Sequence, residues 1–193
     1  MELWVATTNK GKLNEFANLL AGKNIEVHSI NEIDVYSPPK ETGNSFVENA
    51  RIKAKSLRSV KPDCWVVADD SGLEVAGLNN MPGIHSARYA GDQASDAENT
   101  TKLLKMMSLR SATHRAAHFK CCLVAISPAG QEHVFEGILE GDIARGMKGS
   151  NGFGYDNVFI PKGEERTIAE MSPSEKNKIS HRSLAIRQFL EAL

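Results

Sequence analysis

Strand-like and helix-like segments alternate along the first half of the chain. A short apolar run at 3–6 predicts a buried strand, and after a polar loop apolar residues at 13, 16, 17 and 20 recur at helical spacing. A second strand is predicted at 27–33, and Pro38 with Pro39 interrupts regular structure before the next helix. Repeated strand, loop and helix units predict an α/β protein.

Three later segments have the sequence signature of a helix N-terminus. In a capping box, a Ser or Thr precedes the helix and a Glu three residues later bonds back to it. The pairs with this spacing are Ser45 with Glu48, Ser95 with Glu98, and Ser172 with Glu175, the last followed at once by Pro173. We therefore predict helices after these serines, the first ending before Pro62 and the last running close to Leu193.

The second half of the chain is richer in hairpins. A turn is predicted at 127–130, a glycine-dense loop at 146–154, and an irregular segment at 81–92. The strands predicted beyond the second helix lie at 64–68, 73–75, 119–126, 132–136, 138–143 and 158–160. This order favours a mixed sheet flanked by helices over a purely doubly wound one.

Composition limits the partner and the compartment. The 193 residues fit a single domain over 1–193, or two closely joined lobes. Lys and Arg total 23 against 24 Asp and Glu, so there is no overall positive charge for a nucleic acid and a phosphate site must be local. We expect no targeting segment and no membrane span, and three cysteines, an odd number, suit a reducing cytoplasm.

The polar loop after the first strand has the character of a phosphate site. Free backbone N–H groups and the helix dipole favour an anion where a strand passes into a helix, and two lysines add positive charge. The loop consists of Thr7, Thr8, Asn9, Lys10, Gly11 and Lys12. The loop is not a Walker A loop, because Ala6 stands where that motif requires Gly and Leu13 where it requires Ser or Thr. The alternative is a solvated polar turn.

A second candidate site is the run Asp69-Asp70-Ser71-Gly72. It follows the predicted strand 64–68 and is therefore expected in a turn at the end of that strand. Two adjacent carboxylates repel each other, so a divalent cation would help to keep both ionised, and Mg²⁺ prefers such oxygen ligands. Glu41 is a further candidate ligand. The alternative is an ordinary Asp-Ser-Gly turn. We interpret Glu48 as a capping residue and Lys53 as a solvated helix lysine.

A third candidate site combines aromatic and basic residues. Gly152-Phe153-Gly154-Tyr155-Asp156 places two aromatic rings in a permissive backbone that suits a stacked base, although the rings could equally return to the core. The last predicted helix contains several donors that could bind carbonyl oxygens of a base, or form a solvated charged face: Lys176, Ser180, His181 and Arg182.

Together these blocks resemble the Ham1/inosine triphosphatase family of nucleoside triphosphate pyrophosphatases. The matching motifs cover nearly the whole chain. They are Thr-x-Asn-x-x-Lys at 7–12, Glu-Thr-Gly at 41–43 with Glu-Asn-Ala at 48–50, Asp-Asp-Ser-Gly-Leu at 69–73, Pro-Gly-Ile-x-Ser-Ala-Arg-Tyr at 82–89, Phe-Gly-Tyr-Asp at 153–156 and Ser-His-Arg at 180–182. Two departures are Thr8, where many members have glycine, and the stretch 108–115, which has no clear counterpart.

The resemblance implies a fold and an assembly. The expected structure is a mixed α/β fold with an elongated, curved β-sheet flanked by helices, forming two lobes around a nucleotide-binding cleft. The expected assembly is a homodimer. The implied enzyme is a cytoplasmic, Mg²⁺-dependent hydrolase.

The resemblance also implies residue roles. The loop Thr7 to Lys12 would bind the triphosphate, Glu41 and Asp70 would bind Mg²⁺, and Asp70 would accept a proton. Ser71 would contact the substrate. Phe153, next to Gly154 and Tyr155, would stack on the base, and the residues around the polar edge of the base would be Asp156, Lys176, His181 and Arg182.

The implied reaction is attack of water on the α-phosphorus of ITP, dITP or XTP, which yields a nucleoside monophosphate and pyrophosphate and cleanses the nucleotide pool. A Maf-like pyrophosphatase is an alternative enzyme, against which the motifs at 153–156 and 180–182 argue. A nucleic-acid-binding module that uses the lysine loop is an alternative of another class, and the near-zero net charge disfavours it.

Overall fold

The computed structural model describes residues 1–109 and 114–193. Its helices are α1 Lys10–Leu20, α2 Phe46–Val60, α3 Asp96–Leu109, α4 Pro173–Ile179 and α5 His181–Glu191. Its strands are β1 Glu2–Val5, β2 Glu26–Ser29, β3 Trp65–Val75, β4 Met81–Pro82, β5 Ala116–Ile126, β6 Glu132–Ile143 and β7 Phe159–Pro161. Four residues of the unmatched stretch 108–115, namely 110–113, lie outside the described ranges.

The strands form one mixed sheet. Its order is β2-β1-β3-β5-β6-β7, with β4 paired to β3. β1 runs parallel to both β2 and β3, whereas β4 is antiparallel to β3 and β7 is antiparallel to β6. The predicted mixed α/β class is therefore confirmed.

The chain divides into two compact units. The first comprises 1–70, 121–137 and 182–193, and the second comprises 71–120 and 138–181. In the first unit, α2 covers one sheet face through Ala50, Ala54 and Leu57, and apolar residues of α1 and α5 cover the other. The second unit has its own core, in which Leu103 and Met107 of α3 pack with Phe119 and Phe159. No helix in the described part of the chain is long and apolar enough to cross a membrane.

The three predicted helix N-termini are confirmed. Glu48 N–H donates to Ser45 Oγ at 3.3 Å, and the Glu48 carboxylate accepts from the N–H of Asn44. The serines at 95 and 172 form complete capping boxes with Glu98 and Glu175, in which each pair exchanges two hydrogen bonds. These short-range signals act locally, which is why the sequence alone identifies them.

Other predicted elements are corrected. The predicted pair of strands at 64–68 and 73–75 is one continuous strand, β3, so Asp69-Asp70-Ser71-Gly72 lies within a strand and not in a turn. The predicted strand 27–33 ends at Ser29, where a capped 3₁₀ turn, Ile30–Glu32, begins. The segment 81–92 contains β4 and a 3₁₀ helix, Gly83–Arg88, and 132–143 is one strand, β6.

The last predicted helix is two helices. Ser180 has extended backbone (φ −63°, ψ 148°), which ends α4 at Ile179, and α5 starts at the next residue. The break coincides with the boundary between the two compact units, which falls between His181 and Arg182. Neither Gly nor Pro marks this break, so the helical periodicity of the sequence does not disclose it.

Candidate active site

The helix α1 begins at the predicted phosphate loop. Asn9 is its N-cap, and the Asn9 side-chain oxygen accepts from the N–H of Lys12 at 3.0 Å, while Thr7 Oγ1 accepts from the N–H of Asn9 at 3.2 Å. The first turn carries two lysines and no acidic residue, and Thr8 and Lys10 are exposed. Positive charge at a helix N-terminus is the local arrangement that binds phosphate.

Asp69 is buried in an ion-pair network within the first unit. Its Oδ2 lies 2.9 Å from Lys12 Nζ and 3.1 Å from Arg182 Nε, and Arg182 also contacts the Glu15 carboxylate. Asp69 and Arg182 are each 1% exposed. Burial alone would raise the pKa of Asp69, but the charges of Lys12 and Arg182 outweigh that effect and hold it well below the ordinary value. Asp69 is therefore ionised and anchors the Lys12 ammonium.

Asp70 has different partners from Asp69. Its Oδ1 lies 3.3 Å from Lys53 Nζ, its Oδ2 accepts from Asn49 Nδ2 at 3.3 Å, and the same Lys53 Nζ lies 3.0 Å from Glu41 Oε1. Burial raises the pKa of Asp70, and the nearby Glu41 and Asp69 charges add to this effect against the opposing Lys53 and Lys12. A carboxylate of raised pKa beside a second carboxylate has the character of a proton acceptor.

The difference follows from the alternation of side chains along β3. Successive strand residues point to opposite faces, so Asp69 follows Val67 on the α1 and α5 face, and Asp70 follows Ala68 on the α2 face. Asp69 and Asp70 contact different ammonium groups, those of Lys12 and Lys53, whereas our argument from their adjacency placed one cation beside both. The two carboxylates that contact the same ammonium group, that of Lys53, are Glu41 and Asp70.

Glu41 and Asp70 fit a hard divalent cation. Their carboxylates already converge on one positive group, the Lys53 ammonium, so both can face the same ion. Carboxylate oxygens are the donors that Mg²⁺ prefers, and its remaining positions are commonly filled by water and substrate phosphates. Glu41 and Asp70 thus have the donor chemistry for such an ion, and their role as its ligands stays a prediction.

A close backbone approach holds the Glu41 loop against α2. The Gly43 N–H donates to Asn49 Oδ1 at 2.8 Å, and Asn49 uses its amide nitrogen on Asp70. A Cβ at Gly43 would lie 2.6 Å from Glu48 Cβ and 2.8 Å from Asn49 Oδ1, distances that no side chain tolerates. The glycine of the Glu-Thr-Gly motif thus lets one buried amide connect the loop to Asp70.

The second unit contains the predicted base-binding residues. Lys176 Nζ lies 2.6 Å from Asp156 Oδ2 and 4.5 Å from the centroid of the Phe153 ring, and Asp156 also accepts from the Phe153 N–H at 3.0 Å. Asp156 and Lys176 are buried, whereas Phe153 is half-buried. Gly152 has φ +80°, and a Cβ there would lie 2.0 Å from Asp156 Oδ2. The loop therefore presents one ring face beside a buried ion pair.

The other predicted members of this group occupy distinct environments. His181 is buried and stacks on Phe119, with ring centroids 4.8 Å apart. Tyr155 belongs to the core of the second unit, and its hydroxyl donates to the Ser86 carbonyl. The N–H of Gly154 donates to the Asp96 carboxylate. One aromatic ring of the motif thus returns to the core and the other does not.

Two residues differ from their predicted placement, and Arg182 has buried partners in the first unit. The Arg182 guanidinium contacts Asp69 and Glu15 there. Ser180 caps the end of α4 and is not on its face. Lys53 is not a solvated lysine, because its side chain is 13% exposed and binds two carboxylates. Ser71 follows Asp70 in β3 and is half-buried.

Sequence reasoning also missed Asn49 and Glu15 as parts of the site. Asn49 and Lys53 are one helical turn apart and border the apolar stripe of Ala50, Ala54 and Leu57, a spacing that could have placed both on the sheet-facing side. Glu15 has a weaker signal, because only the three-dimensional contact with Arg182 distinguishes it from a surface glutamate.

These features define a mixed α/β protein in which a phosphate-type loop and a pair of cation-binding carboxylates occur in one unit. The model of the Ham1 family matches residues 3–192. The dITP/XTP pyrophosphatase of Bdellovibrio bacteriovorus is 51% identical over 194 residues, covering 100% of this chain and 98% of that protein. The dITP/XTP pyrophosphatase of Bacillus subtilis is 40% identical, covering 100% and 96%.

Solved structures agree with the sequence relatives. A HAM1 protein from Coxiella burnetii superposes with a TM-score of 0.89 at 39% identity, covering 100% of this chain and 98% of that chain. The Staphylococcus aureus Ham1 protein gives 0.87 at 40% identity, covering 100% and 99%. The chain belongs to the Ham1 family.

Proposed function

We propose that this chain is a Mg²⁺-dependent nucleoside triphosphate pyrophosphatase that hydrolyses deaminated purine nucleotides, ITP, dITP and XTP, to the monophosphate and pyrophosphate. The observation that carries the proposal is the convergence of Glu41 and Asp70 on the Lys53 ammonium, in the same unit as the lysine-bearing N-terminus of α1, which Asp69 contacts through Lys12. Full-length relatives named dITP/XTP pyrophosphatase support the substrate class.

The phosphates would bind the loop Thr7 to Lys12. Backbone N–H groups at the start of α1, together with the ammonium groups of Lys10 and Lys12, offer donors and positive charge. Asp69 fixes Lys12 in this position, so the lysine stabilises the leaving pyrophosphate without having to be ordered during the reaction.

Asp70 would accept the proton of the attacking water. Its raised pKa strengthens it as a base relative to an ordinary aspartate, and Asn49 fixes the orientation of its carboxylate. Mg²⁺ bound by Glu41 and Asp70 would supply polarisation of the phosphates and neutralise charge that develops on them. Lys53, which contacts both carboxylates, would balance their charge and keep them together.

The base would bind in the second unit. The half-buried Phe153 ring offers a stacking face, and Lys176 and His181 offer donors for the oxygen at position six of hypoxanthine or xanthine. Asp156 holds Lys176 and could accept from the ring N–H next to that oxygen. We further propose Ser71 as a substrate contact, a single functional domain over 1–193, a homodimer and a cytoplasmic location.

Specificity gives the first testable prediction. Adenine presents an amino group where Lys176 and His181 would donate, so a buried donor would face another donor, and a site built around a required hydrogen bond rejects such an analogue by roughly 10⁴-fold. We expect kcat/KM for ITP and XTP to exceed that for ATP by about this factor, with weaker discrimination against GTP, which shares the oxygen. Equal hydrolysis of ATP and ITP would exclude the proposed specificity.

The alternative of a nucleic-acid-binding module makes a different prediction. Such a module would bind an oligonucleotide without Mg²⁺ and with a steep dependence on salt. The enzyme instead should release pyrophosphate from free ITP only when Mg²⁺ is present. Measuring oligonucleotide binding and pyrophosphate release on the same preparation separates the two hypotheses.

A further inference from the structure

A group of potential metal ligands lies at the beginning of β1 and β2, in the first unit. The parallel register of these strands pairs Glu2 with Glu26 and Trp4 with His28. Side chains two residues apart on a strand share a face, so all four lie on the same side of the sheet. Two like charges directly opposite each other destabilise a sheet unless a positive group lies between them. A positive group near the glutamates relieves this repulsion, and Lys61, whose Nζ lies 3.6 Å from the centroid of the Trp4 ring, is one such group.

His28 is oriented toward these glutamates by a carboxylate behind it. Its Nδ1 lies 2.8 Å from Glu32 Oε2, and Glu32 Oε1 accepts from the N–H of Ser29 at 2.7 Å as part of a capping box. The imidazole also stacks on Trp4, with centroids 4.7 Å apart and planes inclined by 19°. The ring is thus fixed on one side by a hydrogen bond and on one face by an aromatic ring.

The other ring nitrogen has the properties of a ligand atom. With the Nδ1 proton donated to Glu32, His28 Nε2 carries a lone pair, and within the described residues this buried atom has no hydrogen-bond partner. It lies 3.6 Å from Glu26 Oε1. A histidine that donates one N–H to a carboxylate and presents the other nitrogen is the usual arrangement of a metal-ligating histidine.

We propose that His28 Nε2, Glu2 and Glu26 bind a transition-metal ion, of which Zn²⁺ is the representative. One ligand atom from each of these residues lies within 4.8 Å of the other two, so small side-chain movements bring all three to the roughly 2.0–2.2 Å that Zn²⁺ requires. Cys64 Sγ, 3.2 Å from Glu2 Oε2, can become a fourth ligand by losing its proton to solvent. Imidazole and thiolate favour Zn²⁺ over Mg²⁺.

The site is separate from the proposed catalytic carboxylates. Glu2 opens β1, which runs parallel to β3 with Leu3 opposite Trp65, and Asp70 lies five residues further along β3. Five residues of extended chain span roughly 16 Å at about 3.3 Å per residue. Binding at His28 therefore can be measured while excess Mg²⁺ is present for the catalytic carboxylates, and the inference does not depend on the proposed function.

The test is a Zn²⁺ titration of the full chain in excess Mg²⁺, in competition with a chromophoric chelator. His28→Phe keeps the aromatic stack on Trp4 but removes both ring nitrogens, and we expect it to weaken the tight Zn²⁺ site by more than about 100-fold. Glu32→Gln keeps the capping residue type and should weaken it by about tenfold, because only the outer hydrogen bond changes. His114→Phe, at an exposed histidine, is the matched control and should bind like the wild type.

Two spectroscopic readouts locate the ion. Co²⁺ bound at His28 should quench the fluorescence of the adjacent Trp4, in a Trp65→Phe background that leaves Trp4 as the single tryptophan. A thiolate-to-Co²⁺ charge-transfer band that disappears in Cys64→Ser would identify Cys64 as the fourth ligand. If the wild type shows no such band, the site has three protein ligands. Absence of tight Zn²⁺ binding, or binding unchanged in His28→Phe, would overturn the proposal.

Discussion

Asp69 and Asp70 are neighbours in one strand, yet they have opposite electrostatic environments. Asp69 is enclosed by Lys12 and Arg182, which lower its pKa, whereas Asp70 contacts Lys53 and Asn49 and has a raised pKa. The cause is geometric, because consecutive strand residues face opposite layers of helices. Adjacent identical residues can therefore differ in role: Asp69 maintains the structure around Lys12, and Asp70 is the residue that we propose for the chemistry.

The sign of each pKa shift separates the two roles. The folded state favours ionised Asp69, so this residue contributes stability above its ordinary pKa, and that contribution is lost as the pH falls toward the lowered folded value. Asp70 behaves in the opposite way, because its raised pKa means that its contribution is present at low pH and is lost as the pH rises through the folded value. At neutral pH, the ionisation of Asp70 thus lowers the free energy of unfolding.

The largest effect on stability is expected for Asp69→Asn. The substitution removes the charge that both Arg182 and Lys12 contact, and breaking a buried ion pair in this way typically costs about 3–5 kcal/mol. The free energy of unfolding, measured by urea denaturation, should fall by that amount. Asp70→Asn is the matched control and should change it little. Equal effects of the two substitutions would contradict the comparison.

A smaller effect on stability, combined with an effect on catalysis, is expected for Lys12→Ala. Asp69 keeps Arg182, so only the charged hydrogen bond of Lys12 is lost, worth roughly 1.5–3 kcal/mol. The same change should lower kcat/KM by about 10²-fold for every triphosphate, since all of them share the phosphates. Lys23→Ala, at an exposed lysine beyond the other end of α1, is the control. A loss confined to one base would assign Lys12 to base recognition.

The smallest effect is expected for an exposed carboxylate. Hydrogen bonds from the Ser172 N–H and hydroxyl, together with Arg166, lower the pKa of Glu175 to about 2 from 4.5. Its contribution to stability is therefore complete above about 4.5 and disappears as the pH falls toward about 2. Glu175→Gln keeps the capping residue type, so the melting temperatures of the two proteins should converge on acidification. A constant difference across this range would show that Glu175 ionisation does not matter.

Local signals in the sequence predicted local structure well. The capping serines before α2, α3 and α4 act within one helical turn, so their prediction required no tertiary information. By contrast, the sequence Asp-Asp-Ser-Gly at 69–72 is typical of a turn, yet these residues continue β3. They can do so because Lys12, Lys53 and Arg182 from other elements neutralise the two carboxylates. Tertiary partners of this kind are invisible to strand propensity.

The candidate site was predicted as a set of motifs, but its pairing was not. Glu41 and Asp70 were identified together, and the structure brings them to one ammonium. Lys176 and Arg182 were expected on a single helix, whereas Ser180 ends α4 and Arg182 belongs to α5. Lys53 was interpreted as solvated because helix lysines usually are. In the structure its side chain is largely buried and contacts both Glu41 and Asp70.

Pyrophosphate release from ITP by Asp70→Asn at saturating Mg²⁺ tests the account most directly. The substitution removes a metal-ligand charge and the proton acceptor but keeps the shape of the side chain, so we expect at least about a 10²-fold loss of kcat in a protein that unfolds like the wild type. The product must be separated from orthophosphate, and Asp34→Asn, an exposed aspartate, should retain full activity. Activity of Asp70→Asn within a few-fold of the wild type, or orthophosphate as the primary product, would contradict the proposed function.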